Sequence, residues 1–197
     1  MEGGLGRRAA RPSVYSTVSA RTVRRAITGA VPITYTSALL AVLVGILHAG
    51  LAPVVVVAGV KPDLLLVAVV LVTCTFGFEA GILWAFVGGL VANLLIPEPL
   101  GSIPLAQLIV AALVAGGAGI LGRLVWVYPV LAAFVGSIVA DIVLLSVSRL
   151  VGAPLTTGLP FELILPAAVL NAAICGFLLY PTRMLAARFW VDEKATW

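Results

Sequence analysis

The chain is poor in charge. Asp, Glu, Lys and Arg make up 10% of its 197 residues, against 62% apolar residues. Soluble domains carry roughly 25% charged residues, so a water-soluble fold is excluded. Histidine occurs once and cysteine twice. Cys74 and Cys175 lie in apolar runs without CxxC spacing, which reads as two small buried thiols with no metal or redox work. Catalytic motifs are equally scarce. There is no HExxH helix, no GxxxxGK(S/T) loop, no GxSxG elbow and no D-x-x-D-G array of the kind that holds divalent metal in membrane phosphotransferases. A single histidine and no paired intramembrane acids leave membrane proteolysis and metal hydrolysis without their parts. These gaps argue for a non-enzymatic binding or scaffolding role with no cofactor and no metal. The formal net charge of +4 comes from arginines flanking the apolar runs. That pattern suits orientation in a bilayer and contact with anionic lipid, not nucleic acid.

What the chain does contain is six apolar stretches, which predict an all-α, polytopic membrane protein with six transmembrane helices in a compact bundle. Span 1 covers Ala38–Val60 and is expected to bend at Pro53. Leu64–Ile96 holds one charge, Glu79, and as a single helix would be about 50 Å long against a hydrocarbon core of about 30 Å. It must fold back near Gly77 and Glu79, giving spans 2 (Leu64–Phe76) and 3 (Ala80–Ile96). The same argument ends span 4 at Gly122-Arg123 and assigns Leu124–Val147 to span 5. Span 6 is Leu163–Leu185, with Pro166 and Pro181 near its ends. Pro97-Glu98-Pro99 with Gly101, and a stretch holding Pro154, Gly158 and Pro160, read as loops. The expected organisation is a basic N-terminal tail over 1–36, a transmembrane domain over 37–187 and a short C-terminal tail over 188–197.

With six spans both termini share a side. That side would hold Arg7, Arg8, Arg11, Arg21, Arg24, Arg25, Arg123, Arg183, Arg188 and Lys194, and the other only Lys61 and Arg149. The positive-inside rule makes the richer side cytoplasmic. Trp126, Tyr128, Tyr180 and Trp190 fall where interfacial anchors belong. The tail reads as a solvated segment, as a surface helix over Val14–Ile27 whose Arg21, Arg24 and Arg25 meet anionic headgroups or a filament, or as a transit peptide.

Lipid tails are as apolar as leucine, so helices associate through close approach of small residues. Gly81, Ala85 and Gly89 form such a stripe on span 3, and Ala133 and Ser137 on span 5. Span 4 offers Ala111, Ala115 and Gly119. Four polar side chains lie in the outer half of the bilayer: Asn93, Gln107, Asp141 and Asn171. A lone mid-helix aspartate costs about 2.5–3.5 kcal/mol to insert. Asp141 is therefore expected to face inward and find its donor in Asn171 or Asn93. The set reads as a polar clamp on spans 3, 5 and 6, as the lining of an outward pocket, or as a contact to a partner helix. His48, near the middle of span 1, reads as a packing residue and not a metal ligand.

Four patches resemble the rod shape-determining protein MreD family of bacteria. Lys61-Pro62-Asp63 before a leucine run is similar to the opening of that family's second span. Gly88-Gly89-Leu90-Val91-Ala92-Asn93 through Pro99-Leu100-Gly101 is similar to its small-residue helix and Gly-rich turn. Val139-Ala140-Asp141-Ile142-Val143 resembles its buried-Asp motif, and Val169-Leu170-Asn171-Ala172 through Tyr180-Pro181 its last helix. The likeness covers Lys61 to Ala187. It departs at Asn93, where many members carry Asp. The resemblance implies a multi-pass scaffold of the bacterial inner membrane, in the complex that elongates rod-shaped cells. It further implies pairing with the single-span protein MreC and work beside MreB filaments, an elongation glycosyltransferase and a class B penicillin-binding transpeptidase. The family is similar in fold to the substrate-binding subunits of energy-coupling-factor vitamin transporters, which sets the rival expectation of a solute-binding membrane subunit.

Overall fold

The computed structural model describes residues 35–51, 54, 56, 59–121, 126–152 and 161–189. The chain divides into two units, Met1–Thr36 and Ser37–Trp197. The helices belong to the second, apart from the first two residues of the first helix. Arg21, Arg24 and Arg25, the bend at Pro53 and the C-terminal tail from 190 onward lie outside the described residues.

Every regular element among the described residues is a helix. These are α1 (Tyr35–Leu51), α2 (Leu64–Phe76), α3 (Phe78–Leu95), α4 (Ser102–Leu121), α5 (Tyr128–Val151) and α6 (Phe161–Phe189). Four of them, α3 to α6, are long and apolar enough to cross a membrane. α1 and α2 are shorter: the 13 residues of α2 rise only about 20 Å. The expected fold-back between spans 2 and 3 occurs at Gly77 alone. Its φ of 91° lies in the left-handed region, and its N–H donates to Thr73 O at 3.1 Å. Glu79 does not sit in the turn but in the first turn of α3, where the helix dipole favours an acid.

Helix ends depart from the hydropathy boundaries for local reasons. α5 begins at Tyr128 instead of Leu124 because Pro129 suits a first turn. It runs on to Val151 because Gly152, at φ 65°, supplies the left-handed cap. Pro166 and Pro181 lie inside α6, which continues through both. Next to Pro181, Thr182 donates its hydroxyl to Leu178 O at 2.8 Å, an added bond where the proline ring leaves the backbone short of a donor.

Close contacts set the packing. α2 and α3 run antiparallel, with Gly81 against Thr73 and Gly88 against Leu65. α1 runs parallel to α3: Trp84 donates to Ser37 Oγ at 2.8 Å, and Gly88 faces Ala41. α4 meets α5 where the Tyr128 hydroxyl donates to Val114 O and Val110 packs on Gly136. α5 meets α6 where the Cys175 thiol donates to Pro129 O at 3.4 Å. Arg183 of α6 stacks on Trp126, 4.7 Å from the ring centre.

α2 touches α3, α4, α5 and α6 and buries Leu65, Leu66, Val67 and the run from Val69 to Thr73. Leu66, Val67, Val70 and Leu71 join Val110, Val114, Tyr128, Ala133 and Leu179 in one core. Leu65 and Val69 join Ala85, Ala92, Ile103 and Ala111 in the other. Small residues line the inside, while Phe86, Leu94, Leu113, Leu131, Ile142 and Phe177 face out. A surface this apolar suits hydrocarbon and not water.

The expected packing residues Gly81, Ala85, Gly89, Ala133 and Ser137 are all buried. The stripe on α4 does not hold to its end, since a Cβ at Gly119 would meet nothing within 4 Å. A Cβ at Gly89 would lie 2.7 Å from Pro104 Cα. Gly89→Ala should therefore destabilise the folded protein by about 1–3 kcal/mol through forced separation of α3 and α4. Gly119→Ala should be neutral or slightly stabilising through helix propensity. Thermal unfolding of both variants in one detergent checks the contrast.

Candidate functional site

The short central helix must start somewhere, and Asp63 starts it. Pro62 fixes the approach. The Asp63 carboxylate accepts the Leu66 N–H at Oδ1 (2.9 Å), and its carbonyl accepts the Val67 N–H (3.2 Å). This is an N-cap. Three other helices converge on it. The Asp63 N–H donates to Asn171 Oδ1 of α6 at 2.8 Å. Gln107 of α4 donates from Nε2 to Asp63 Oδ2 at 3.3 Å. His48 of α1 brings Nδ1 to 3.5 Å from Asp63 Oδ1, too loosely aimed to form a hydrogen bond. Asn171 then donates from Nδ2 to Ser137 Oγ of α5 at 2.9 Å. Five helices thus meet through one carboxylate and one carboxamide.

Asp141 lies four residues, about one turn, beyond Ser137 on the same face of α5. Its expected partnership with Asn171 or Asn93 is not what the structure has. The Asn171 amide bonds Asp63 and Ser137 instead, and Asp141 Oδ2 is buried with no hydrogen-bond partner. Gln107 Oε1 and His48 Nδ1 are buried and unpartnered as well.

Asn93 belongs to a different piece of structure. Its Oδ1 accepts the Gly101 N–H at 2.6 Å and its Nδ2 donates to Glu98 O at 3.3 Å. It pins the loop between α3 and α4, where Gly101 has φ 89°. The clamp therefore joins α2, α4, α5 and α6, with α1 at its edge, and not spans 3, 5 and 6. Its centre is Asp63, which hydropathy placed outside any span. An aspartate directly before a leucine run is a helix N-cap signal, and that signal was available in the sequence. His48 is neither a plain packing residue nor part of a histidine-based metal centre. Among the described residues, no three His, Cys, Asp or Glu side chains converge closely enough to chelate a metal.

The fold and the site define a polytopic helical membrane protein with a buried polar cluster near one end of its bundle. Comparison with protein-family models, with curated proteins and with solved structures found no match to this chain.

Two predictions follow from these contacts. Asn171→Leu removes hydrogen bonds to two helices and should destabilise by about 1–2 kcal/mol, at about 0.6 and up to about 1.7 for each interhelical bond. Asp141→Leu removes none and should leave thermal stability in sodium-free buffer unchanged or raised. Unfolding curves in nanodiscs decide between them.

Glu98, in the α3–α4 loop, has its carboxyl pushed above the usual carboxylate range by burial. Its folded state therefore holds the proton more tightly than the unfolded chain. The contribution of Glu98 to stability is most favourable at low pH and falls as pH rises from about 4, where a free glutamate ionises. Glu98→Gln should remove that fall, so its melting temperature should gain on the parent as pH increases.

Proposed function

We propose that this chain is a non-enzymatic scaffold of the bacterial inner membrane, resembling MreD. It would bind the transmembrane helix of MreC and help couple MreB filaments to peptidoglycan synthesis during cell elongation and cell-shape maintenance. One observation carries the reading: the first and last of the four patches that resemble that family are hydrogen-bonded to each other. Asp63 of the Lys61-Pro62-Asp63 patch bonds Asn171 of the last-helix patch, and Asp141 lies one turn beyond Ser137, which Asn171 also bonds. Asn93 bonds Gly101 within the small-residue patch. Two short likenesses that lie far apart in the chain are thereby joined by their polar members.

In this reading all six helices cross the membrane, both termini are cytoplasmic, and the tail arginines Arg21, Arg24 and Arg25 meet anionic lipid or the filament. α2 is too short to reach both surfaces, and its capped N-terminus tolerates a position below the headgroups. The elongation glycosyltransferase and a class B penicillin-binding transpeptidase are further partners.

A second reading is a solute-binding subunit of an energy-coupling-factor type vitamin transporter, with the fold likeness that goes with it. Its support is the set of buried, unpartnered polar atoms on His48, Gln107 and Asp141. Native mass spectrometry after co-expression with MreC from the same genome separates the two. A one-to-one complex with MreC is the expected result. A stoichiometric organic ligand with no MreC would favour the transporter subunit.

A further inference from the structure

The Asp63 cluster is short of positive charge. Gln107 is 2% exposed, and its amide orientation is fixed because Nε2 must face the Asp63 carboxylate. Turning the amide over would set oxygen against oxygen. Gln107 Oε1 is therefore committed to accepting, yet it has no partner. Asp141 Oδ2 is in the same position. No donor of the cluster reaches either atom: Asn171 Nδ2 is directed at Ser137 and Gln107 Nε2 at Asp63, and Lys61, two residues from Asp63, is exposed and forms no ion pair with it. Buried polar atoms without partners are uncommon in folded proteins and mark a missing water, ion or ligand.

We propose that this cluster binds a monovalent metal cation, with Na+ as its type. The donor set is oxygen: two carboxylates and an amide carbonyl, which select hard ions over the softer transition metals. The charge balance selects a single positive charge. Asp63 is already compensated by the N-terminus of α2 and by its donors from Leu66 and Gln107. Asp141 is the one negative charge in the cluster with no partner, and one monovalent ion neutralises it. A divalent ion would want six or more oxygens in a tighter shell. His48 stands in the last turn of α1, the end of the helix where its dipole is negative, which adds to the same field. Helix ends and buried carboxylates of this kind are where membrane proteins hold sodium. The inference is independent of whether the chain scaffolds MreC or carries a solute.

The test uses the full chain in nanodiscs at fixed pH and ionic strength, with Na+, K+ or N-methyl-D-glucamine as the only cation. Na+ at about ten times its Kd should raise the melting temperature by about 3–6 °C over N-methyl-D-glucamine. Asp141→Asn and Gln107→Leu should abolish that increment. Asn93→Ala, which loosens the α3–α4 loop outside the cluster, should lower the melting temperature and keep it. Binding of radioactive Na+ to the unmutated protein decides the matter if the variants fail to fold. Equal melting temperatures in all three cations, a response only to pH, an increment that survives Asp141→Asn, or no saturable Na+ binding would each overturn the proposal.

Discussion

The structure depends on how a short helix ends inside a medium that offers its backbone no water. α2 is about 20 Å long and packed among four other helices, so its first N–H groups are met by protein partners. Asp63 answers part of that need from within, through its own carboxylate and carbonyl. Asn171 answers another part from α6. The remaining helices are placed by what this cap requires. α4 supplies Gln107, α5 braces Asn171 through Ser137, and α1 brings His48 to the edge. Loss of the Asp63 cap would leave backbone donors unsatisfied at a cost of about 1–2 kcal/mol each.

Polar capping and small-residue packing divide the work between them. Hydrophobicity holds the bundle in the membrane but does not choose which helix faces which. The choice is made at one end by the Asp63 contacts. Along the length it is made by close approaches such as Gly45, where a Cβ would lie 2.6 Å from Gly88 O, and Gly89 against Pro104. The outward faces carry the large side chains, which lipid accepts without discrimination.

Much of this was legible in the sequence. Hydropathy and helix length located all six helices, and the limit of about 30 Å forced the turn at Gly77. Helix ends were less legible, because they depend on caps such as Gly152 and on Pro129 and not on apolarity. The site was read in part. Asn171 and Gln107 do meet, but through Asp63, whose side chain counts as a loop residue in any window of hydropathy. Asn93 was grouped with them because depth in the membrane says nothing about azimuth around the bundle. Which way a helix face turns is settled by tertiary contacts such as Asn93 to Gly101, and these join residues that no local pattern links.

The bond from Asp63 to Asn171 spans 108 positions of chain. A ribosome delivers α2 well before α6, so the hairpin of α2 and α3 must wait with part of its cap unanswered. Biogenesis of this protein therefore closes from its final helix backward. Quality control meets an exposed acidic helix start in every nascent chain, and an intact one only after synthesis has passed Asn171.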